Sequence, residues 1–215
     1  MTKPMKIDFV SDVSCPWCVI GLGALEQALA KVGDLIEADI HFQPFELNPD
    51  MPPEGENIGE HIAKKYGRTP EESSGTREMI RARAAEVGFT MATTRDSRIY
   101  NTFDAHRLLH WAGIEGRQAE LKHALFEAYF TKQQDPSDRE TLIATAASAG
   151  LDAGAAGEVL DSFRYAGEVR ADERKWREAG INAVPAVVIN DRYLISGGQP
   201  ADTFEQALRT IAAEA

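Results

Sequence analysis

Cysteine is scarce in this chain. Only two cysteines occur among 215 residues, and both lie in the four-residue segment CPWC, as Cys15 and Cys18. A disulfide bond between them closes a very short loop and removes little entropy from the unfolded chain, so it cannot act as a structural framework. A chain of this length buries a full core without such cross-links. The two cysteines are therefore more typical of a chemical function than of a structural one.

Positive charge is in deficit, and long apolar runs are absent. The 34 acidic residues outnumber the 23 Lys and Arg residues, which gives a formal net charge of -11. This charge argues against general binding to nucleic acids or anionic membranes, since both carry negative charge. No stretch reaches the roughly 18 apolar residues of a membrane span. The apolar residues from Ile7 onward are interrupted by Asp8 and Asp12, unlike those of a secretory signal peptide. We therefore expect a cytoplasmic protein without a nucleic-acid or membrane partner.

The first part of the chain has the pattern of a strand, a helix and a second strand. Apolar residues predict a strand over residues 6–11, a helix from Pro16 to Gly33, and a strand over residues 35–45. Pro16 suits the first turn of a helix, because the N–H that it lacks has no partner there in any case. The result is a βαβ unit with both cysteines at its first strand-to-helix turn.

The middle of the chain has helical spacing and no convincing strand. Helices are predicted over residues 58–66, 70–87, 101–112, 118–131 and 138–149. Beyond a helix that ends near Gly180, residues 186–189 and 193–195 predict a hairpin, and Pro200 opens a last helix. This order predicts an α/β, thioredoxin-like fold (βαβ…αββα) with a large inserted helical domain. Residues 1–55 and 165–215 would form the discontinuous thioredoxin-like domain, and residues 56–164 an all-helical insertion.

A cysteine pair at the start of a helix points to thiol chemistry. The thiolate is the reactive form of cysteine, and the N-terminus of a helix stabilises negative charge. Cys15, at the helix end and open to solvent, is expected to attack, and Cys18, one turn later, to resolve the mixed disulfide. Half a zinc site and an inert buried pair are the alternatives. Zinc is disfavoured because 87 residues separate Cys18 from His106, the first of the remaining candidate ligands, His106 and His110, and we expect no metal.

The second chemical signal is Val184-Pro185, which directly precedes the apolar run at residues 186–189. Proline is confined to edges, bulges or starts of strands, and a cis peptide bond at a strand start would explain its position. An ordinary trans proline is the alternative. In a thioredoxin-type sheet this turn lies beside the cysteines, where the backbone of Val184 can pair with an extended substrate.

These motifs resemble those of the DsbA family of thioredoxin-fold oxidoreductases, and most closely its cytoplasmic FrnE-like branch. The similar stretches are residues 12–21 (DVSCPWCVIG), 45–55 (FELNPDMPPEG), 101–109 (NTFDAHRLL), 128–130, 180–189 (GINAVPAVVI) and 196–200 (SGGQP). The resemblance implies a redox pair at Cys15 and Cys18 and a cis bond at Pro185. Positions typical of the branch are Asn48, Pro49, Asn101 and His106. The substrate-binding residues expected on this basis are Pro16, Trp17, Asn48, His106, Val184 and Pro185.

Three functions remain open from the sequence. The leading hypothesis is a thiol–disulfide oxidoreductase that acts on protein or small-molecule thiols and disulfides without a bound cofactor. The second is a glutathione-dependent enzyme similar to kappa-class glutathione transferases or 2-hydroxychromene-2-carboxylate isomerases, with glutathione as co-substrate. Those relatives generally carry serine at the position of Cys15, so the presence of both Cys15 and Cys18 favours dithiol chemistry. The third is a redox-regulated binding protein or chaperone.

Overall fold

The computed structural model describes residues 2–214, in which strands and helices alternate at both ends of the chain and helices dominate between them. The strands are β1 (Lys3–Ser11), β2 (Ile36–Pro44), β3 (Glu56–Asn57), β4 (Arg98–Ile99), β5 (Ala186–Ile189) and β6 (Tyr193–Ser196). The helices are α1 (Pro16–Val32), α2 (Ile58–Tyr66), α3 (Pro70–Glu86), α4 (Phe103–Ile114), α5 (Gln118–Phe126), α6 (Arg139–Ser148), α7 (Ala153–Asp161), α8 (Ala166–Glu178) and α9 (Ala201–Glu214). A π-helical turn, Glu127–Thr131, continues α5.

The main sheet has the strand order β2-β1-β5-β6. Strand β1 runs parallel to β2 and antiparallel to β5, and its register places Phe9 beside Phe42 and Val187. The second half of β1, the central strand, is buried on both faces. The structure thus confirms the thioredoxin-like βαβ…αββα order.

Helices cover both faces of this sheet. On one face, Phe9 packs in a core that includes Cys18 and Leu25 of α1 and Phe204 of α9. On the other face, Val10 packs in a smaller cluster that includes Trp176 of α8. Successive residues of β1 point to opposite faces, so the cysteine-bearing helix lies entirely on the first of them.

The inserted helices share the core of the thioredoxin-like part. Ala84 of α3 and Phe126 of α5 belong to the same buried cluster as Cys15 and Cys18. A second cluster joins α4–α7 and also includes Val13, from the turn that leads to the cysteines. The insertion therefore packs directly against the cysteine-bearing turn.

The expectation of an all-helical insertion is wrong in one place. Strands β3 and β4 pair antiparallel, with Glu56 opposite Ile99 and Asn57 opposite Arg98. Two residues are too few to show the alternation that reveals a strand in sequence. The guanidinium of Arg98 also donates hydrogen bonds to the carbonyl oxygens of Glu54 and Gly55, which fixes this pairing.

The helix boundaries follow local capping signals. Asn57 caps α2, whose bounds match the prediction, and Thr69 with Glu72 forms a capping box at α3. Such caps satisfy N–H groups that otherwise lack partners. The helix predicted over residues 118–131 changes its hydrogen-bonding pattern after Phe126. Within residues 2–214, no helix is both long and apolar enough to cross a membrane.

Candidate active site

The two cysteines lie where β1 gives way to α1. Cys15 is the N-cap residue of α1, and Pro16 occupies the first helical turn. The amide of Cys18 donates to the carbonyl oxygen of Cys15 at 3.1 Å, which places Cys18 one turn into the helix. The side chain of Cys15 does not cap the helix, and no acidic residue lies in its first turn. Both thiols are free, so the structure holds the reduced pair.

Both cysteines are buried, which corrects the expectation that Cys15 is open to solvent. Cys15 is 3% exposed and Cys18 is 0% exposed. The Sγ of Cys15 donates a hydrogen bond to the carbonyl oxygen of Val184 at 3.6 Å, so the loop before β5 covers it.

Close contacts hold the turn before β5 against the cysteine-bearing helix. The bond between Val184 and Pro185 is cis. A Cβ at Gly21, in α1, would lie 3.0 Å from Cγ of Pro185. A Cβ at Gly198 would lie 3.0 Å from the carbonyl oxygen of Trp17 and 3.3 Å from its ring. Glycine at these two positions thus allows the β5 turn and the residues after β6 to approach α1 closely.

The protonation of Cys18 is set mainly by its burial. Burial raises the pKa of the Cys18 thiol well above its ordinary value. A hydrogen bond to Cys15 and the negative charge of that residue raise it further, whereas the charge of Lys122 lowers it. In the reduced protein, Cys18 is therefore held as a thiol.

Asp12 is a buried carboxylate at the start of the same turn. It accepts hydrogen bonds from the amide of Leu47 at 2.7 Å, the amide of Ser14 at 3.2 Å and the hydroxyl of Ser14 at 3.1 Å. The Nε2 of His106 lies 3.5 Å from its Oδ1. Burial disfavours the charged form of Asp12, but His106 and the amide of Leu47 outweigh it and hold the pKa below its ordinary value. A negative charge is therefore maintained just before the cysteines.

Lys122, in α5, is buried on the same side as the cysteines. Its side chain is 0% exposed, and its Nζ lies 4.7 Å from the centre of the Phe126 ring. The pKa of Lys122 is lowered to about 8, mainly because of burial. Electrostatic interactions with Cys18, Asp12 and Cys15 act in the opposite direction and raise it. The site thus includes a lysine whose charged and neutral forms are both accessible near neutral pH.

The structure brings four of the residues expected to bind substrate together at the cysteine-bearing turn and holds the other two, Asn48 and His106, in contacts with other side chains. Pro16 and Trp17 belong to the first turn of α1, beside Val184 and Pro185. Asn48 accepts a hydrogen bond from Nζ of Lys65 at 2.7 Å, which ties it to α2. His106 is 3% exposed and faces Asp12. These two residues are thus held by structural contacts in the substrate-free protein.

Sequence reasoning missed Asp12 and Lys122 as members of the site. Asp12 lies inside the DVSCPWC stretch, where an acidic residue directly follows a buried strand. Lys122 lies beside Leu121 and shares a helix face with Leu125 and Phe126. A lysine on an apolar helix face is a detectable signal, since lysine is almost never fully buried unless it is paired.

The fold and the site together define a thioredoxin-fold protein with a dithiol motif. Within that class, the sequence model of the family described as "DSBA-like thioredoxin domain" matches residues 6–209. The chain belongs to this family.

Three known proteins show how far this similarity extends. A probable DsbA oxidoreductase from Streptomyces coelicolor is 35% identical, with a TM-score of 0.91 over 98% of this chain and 91% of that chain. The uncharacterised protein YwbO of Bacillus subtilis is 27% identical over 209 residues, which cover 97% of this chain and 96% of that protein. The cytosolic disulfide reductase DsbM from Pseudomonas aeruginosa is 18% identical, with a TM-score of 0.65 over 98% of this chain and 100% of that chain. At that identity, DsbM supports the fold alone.

Proposed function

We propose that this protein is a cytoplasmic thiol–disulfide oxidoreductase with Cys15 as the nucleophile and Cys18 as the resolving thiol. The observation that carries the proposal is a free dithiol at the start of α1, with the sulfur of Cys15 bonded to the carbonyl oxygen of Val184. A lone cysteine pair placed in this way is typical of catalysis in a reducing compartment. The resemblance to the FrnE-like branch also supports the cytoplasmic assignment.

The reaction exchanges one disulfide bond for another. The thiolate of Cys15 attacks a substrate disulfide, forms a mixed disulfide and releases the first substrate thiolate. Cys18 then attacks Sγ of Cys15, the Cys15–Cys18 bond forms, and the second substrate thiolate leaves. Two electrons pass from the cysteine pair to the substrate, and the reverse sequence oxidises a substrate dithiol. No bound cofactor is required for either direction.

Substrate binding follows from the position of Val184. An extended segment can pair with its backbone as an added strand does, and its sulfur then replaces the Val184 carbonyl as the partner of Cys15. Pro16, Trp17 and Pro185 would form the surrounding surface. Proteins and small molecules that carry thiols or disulfides both fit this mode of binding.

The test is a pair of cysteine variants assayed with a fluorescent peptide disulfide. Cys18→Ala is expected to accumulate a mixed disulfide through Cys15, visible by mass spectrometry of the intact protein. Cys15→Ser is expected to lose exchange altogether, because Cys18 is fully buried. Full activity in both variants would refute the proposal. The reduction potential of the pair, compared with the cytosolic glutathione poise of about -220 to -260 mV, would assign the direction of electron flow.

Glutathione is the specific small molecule to test as a co-substrate. A second structure of DsbM holds glutathione, and the fold of DsbM is shared by this chain. A glutathione-dependent isomerase or transferase would bind glutathione with one molecule per chain and keep its activity in Cys18→Ala. Absence of binding in calorimetry would remove this candidate. Negligible exchange, together with partner binding that differs between the oxidised and reduced forms, would instead support a redox-regulated binding protein or chaperone.

A further inference from the structure

Lys122 is buried at a cost that its structural contacts do not repay. Taking an ammonium group out of water costs several kcal/mol even after relaxation. Among residues 2–214, the Nζ of Lys122 has no hydrogen-bond partner, and its ring contact is with Phe126. A methionine of similar length would fill the same space without that cost. The presence of an amine at this position therefore calls for a chemical explanation.

Helix α5 is anchored so that Lys122 points towards the cysteines. One turn before it, the side-chain amide of Gln118 pairs with the backbone of Phe42, accepting from its N–H at 2.9 Å and donating to its carbonyl oxygen at 3.1 Å. One turn after it, Phe126 packs in the cluster that contains Cys15 and Cys18. Residues four apart lie on one helix face, so the Lys122 side chain is directed into that cluster.

The charged groups that face Lys122 belong to the cysteine motif. Cys18 and Cys15 come from α1, and Asp12 comes from the turn before it. On its own helix, Lys122 interacts with His123, which is paired with Glu26 at the surface. Cys18 has the largest electrostatic effect on Lys122 among these groups. The amine is therefore coupled first to the thiol that the proposed reaction must deprotonate.

We propose that Lys122 exchanges the proton of the Cys18 thiol when Cys18 attacks a mixed disulfide at Cys15, an inference that rests on the proposed function. The Cys18 proton passes to the neutral amine, which leaves a thiolate and an ammonium ion. The thiolate attacks Sγ of Cys15, the Cys15–Cys18 bond forms, and the bond from Cys15 to the substrate breaks. The substrate thiolate takes a proton from solvent, and the ammonium later returns its proton to solvent. In the reverse direction, the ammonium protonates Cys18 as it leaves.

The changing charge of Cys15 favours this transfer at the right moment. In the reduced protein, two of the causes that raise the pKa of Cys18 are its hydrogen bond to Cys15 and the charge of Cys15. Both disappear once Cys15 is bound in a mixed disulfide, so Cys18 then holds its proton less tightly than in the reduced protein. A proton acceptor with a pKa of about 8 is also well matched to a reaction near neutral pH.

The test separates the two chemical steps with Ellman's reagent in a stopped-flow spectrometer. Attack by Cys15 releases one thionitrobenzoate, and attack by Cys18 on the mixed disulfide releases a second. Cys18→Ala identifies the phases because it can give only the first. In Lys122→Met, we expect the second phase at pH 7 to slow about 100-fold, while the first changes less than about threefold. The pH midpoint of the second phase should rise by about one unit or more, because the positive charge that favours the Cys18 thiolate is gone.

The matched control is Lys132→Met, which removes an exposed lysine that pairs with Glu127 in the π-helical turn. We expect both phases to keep their wild-type rates in this variant. An unchanged second phase in Lys122→Met, or equal slowing of both phases at every pH, would overturn the role of Lys122. Absence of any second phase in the wild-type protein would instead overturn the proposed function.

A measurement on the unsubstituted protein guards against a variant that fails to fold. The Cε resonance of Lys122, assigned by comparison with Lys122→Gln, reports its titration by nuclear magnetic resonance. We expect a midpoint near 8 in the reduced protein and a lower one in the Cys15–Cys18 disulfide, because the negative charge of Cys15, which raises it, is then gone. The same high midpoint, near the ordinary value of about 10.4, in both redox states would refute the proposal.

Discussion

Asp12→Asn removes one negative charge from beneath the cysteine turn and changes almost nothing in volume. The carboxylate is fully buried and accepts three hydrogen bonds, from the amide and hydroxyl of Ser14 and from the amide of Leu47. An asparagine has a single side-chain acceptor oxygen, so it can keep one of the two buried amide donors but not both. The variant therefore tests the energetic role of the charge.

The magnitude follows from these contacts. A hydrogen bond to a charged group contributes about 1.5–3 kcal/mol, and an unpaired buried donor costs a similar amount. The loss of one such bond, together with the interaction with His106 at 3.5 Å, predicts a decrease in the free energy of unfolding of about 2–4 kcal/mol at pH 7. Asp12→Ala, which removes all three bonds, should cost more.

The effect must depend on pH in a definite direction. The pKa of Asp12 is lower in the folded protein than its ordinary value. Its ionisation therefore stabilises the fold at pH values above the pKa of Asp12 in the unfolded chain, which is about 3.9. This contribution is lost as the pH falls through the folded-state pKa. The difference in stability between wild type and Asp12→Asn should therefore be constant from about pH 7 to pH 5 and shrink below about pH 4.

Urea unfolding under reducing conditions, followed by circular dichroism from pH 7 to pH 3, measures this difference. The matched control is Asp138→Asn at the N-cap of α6, where the carboxylate accepts from the amide of Thr141 at 2.8 Å. Asparagine caps a helix about as well as aspartate, so this change should stay within about 0.5 kcal/mol at pH 7. Equal stabilities of wild type and Asp12→Asn at pH 7, or a difference that grows on acidification, would refute the reasoning.

Two further predictions concern glycines at close contacts. A Cβ at Gly23 would lie 2.7 Å from Cβ of Val87, so Gly23→Ala should lower the free energy of unfolding by about 1–2 kcal/mol. In a Val87→Gly background, which removes that Cβ, the same change should raise it by about 1 kcal/mol, and urea unfolding that showed no such reversal would contradict the contact. Gly198→Ala should displace Trp17, given the 3.0 Å contact, and slow the first thionitrobenzoate phase about tenfold. Gly75→Ala is the control for both substitutions, because a Cβ added at Gly75 would meet open space. It should leave the first thionitrobenzoate phase unchanged.

Much of the fold could be predicted because its signals are local. The bounds of α2 follow from the cap at Asn57 and the glycine at position 67, both within a few residues of the helix ends. The same holds for α6, which Asp138 caps. The pairing of β3 with β4 depends on contacts between residues about 40 positions apart, and two-residue strands leave no periodic pattern. Its absence from the prediction therefore reflects the short length of the strands.

The site was predictable in its covalent chemistry but not in its electrostatic surroundings. Cys15 and Cys18 are three positions apart in the sequence, and this spacing fixes their relation on a helix. The burial of Cys15 depends on Val184, which only folding brings to it. Likewise, the apolar neighbours of Lys122 reveal that this lysine is unusual, whereas nothing in the spacing reveals that it faces Cys18. Long-range contacts thus decide the protonation of Cys18.

The groups that act on the dithiol come from separate parts of the chain, and this separation has a consequence for the family. Asp12 belongs to the cysteine motif, whereas His106 lies in α4 and Lys122 in α5, both within the insertion. Because buried charges interact strongly over short distances, replacing one residue of the insertion can change the protonation of Cys18 while leaving the CPWC segment intact. Two relatives with identical cysteine motifs can therefore differ in the rate of resolution, and the residue at the position of Lys122 is where we expect that difference to originate.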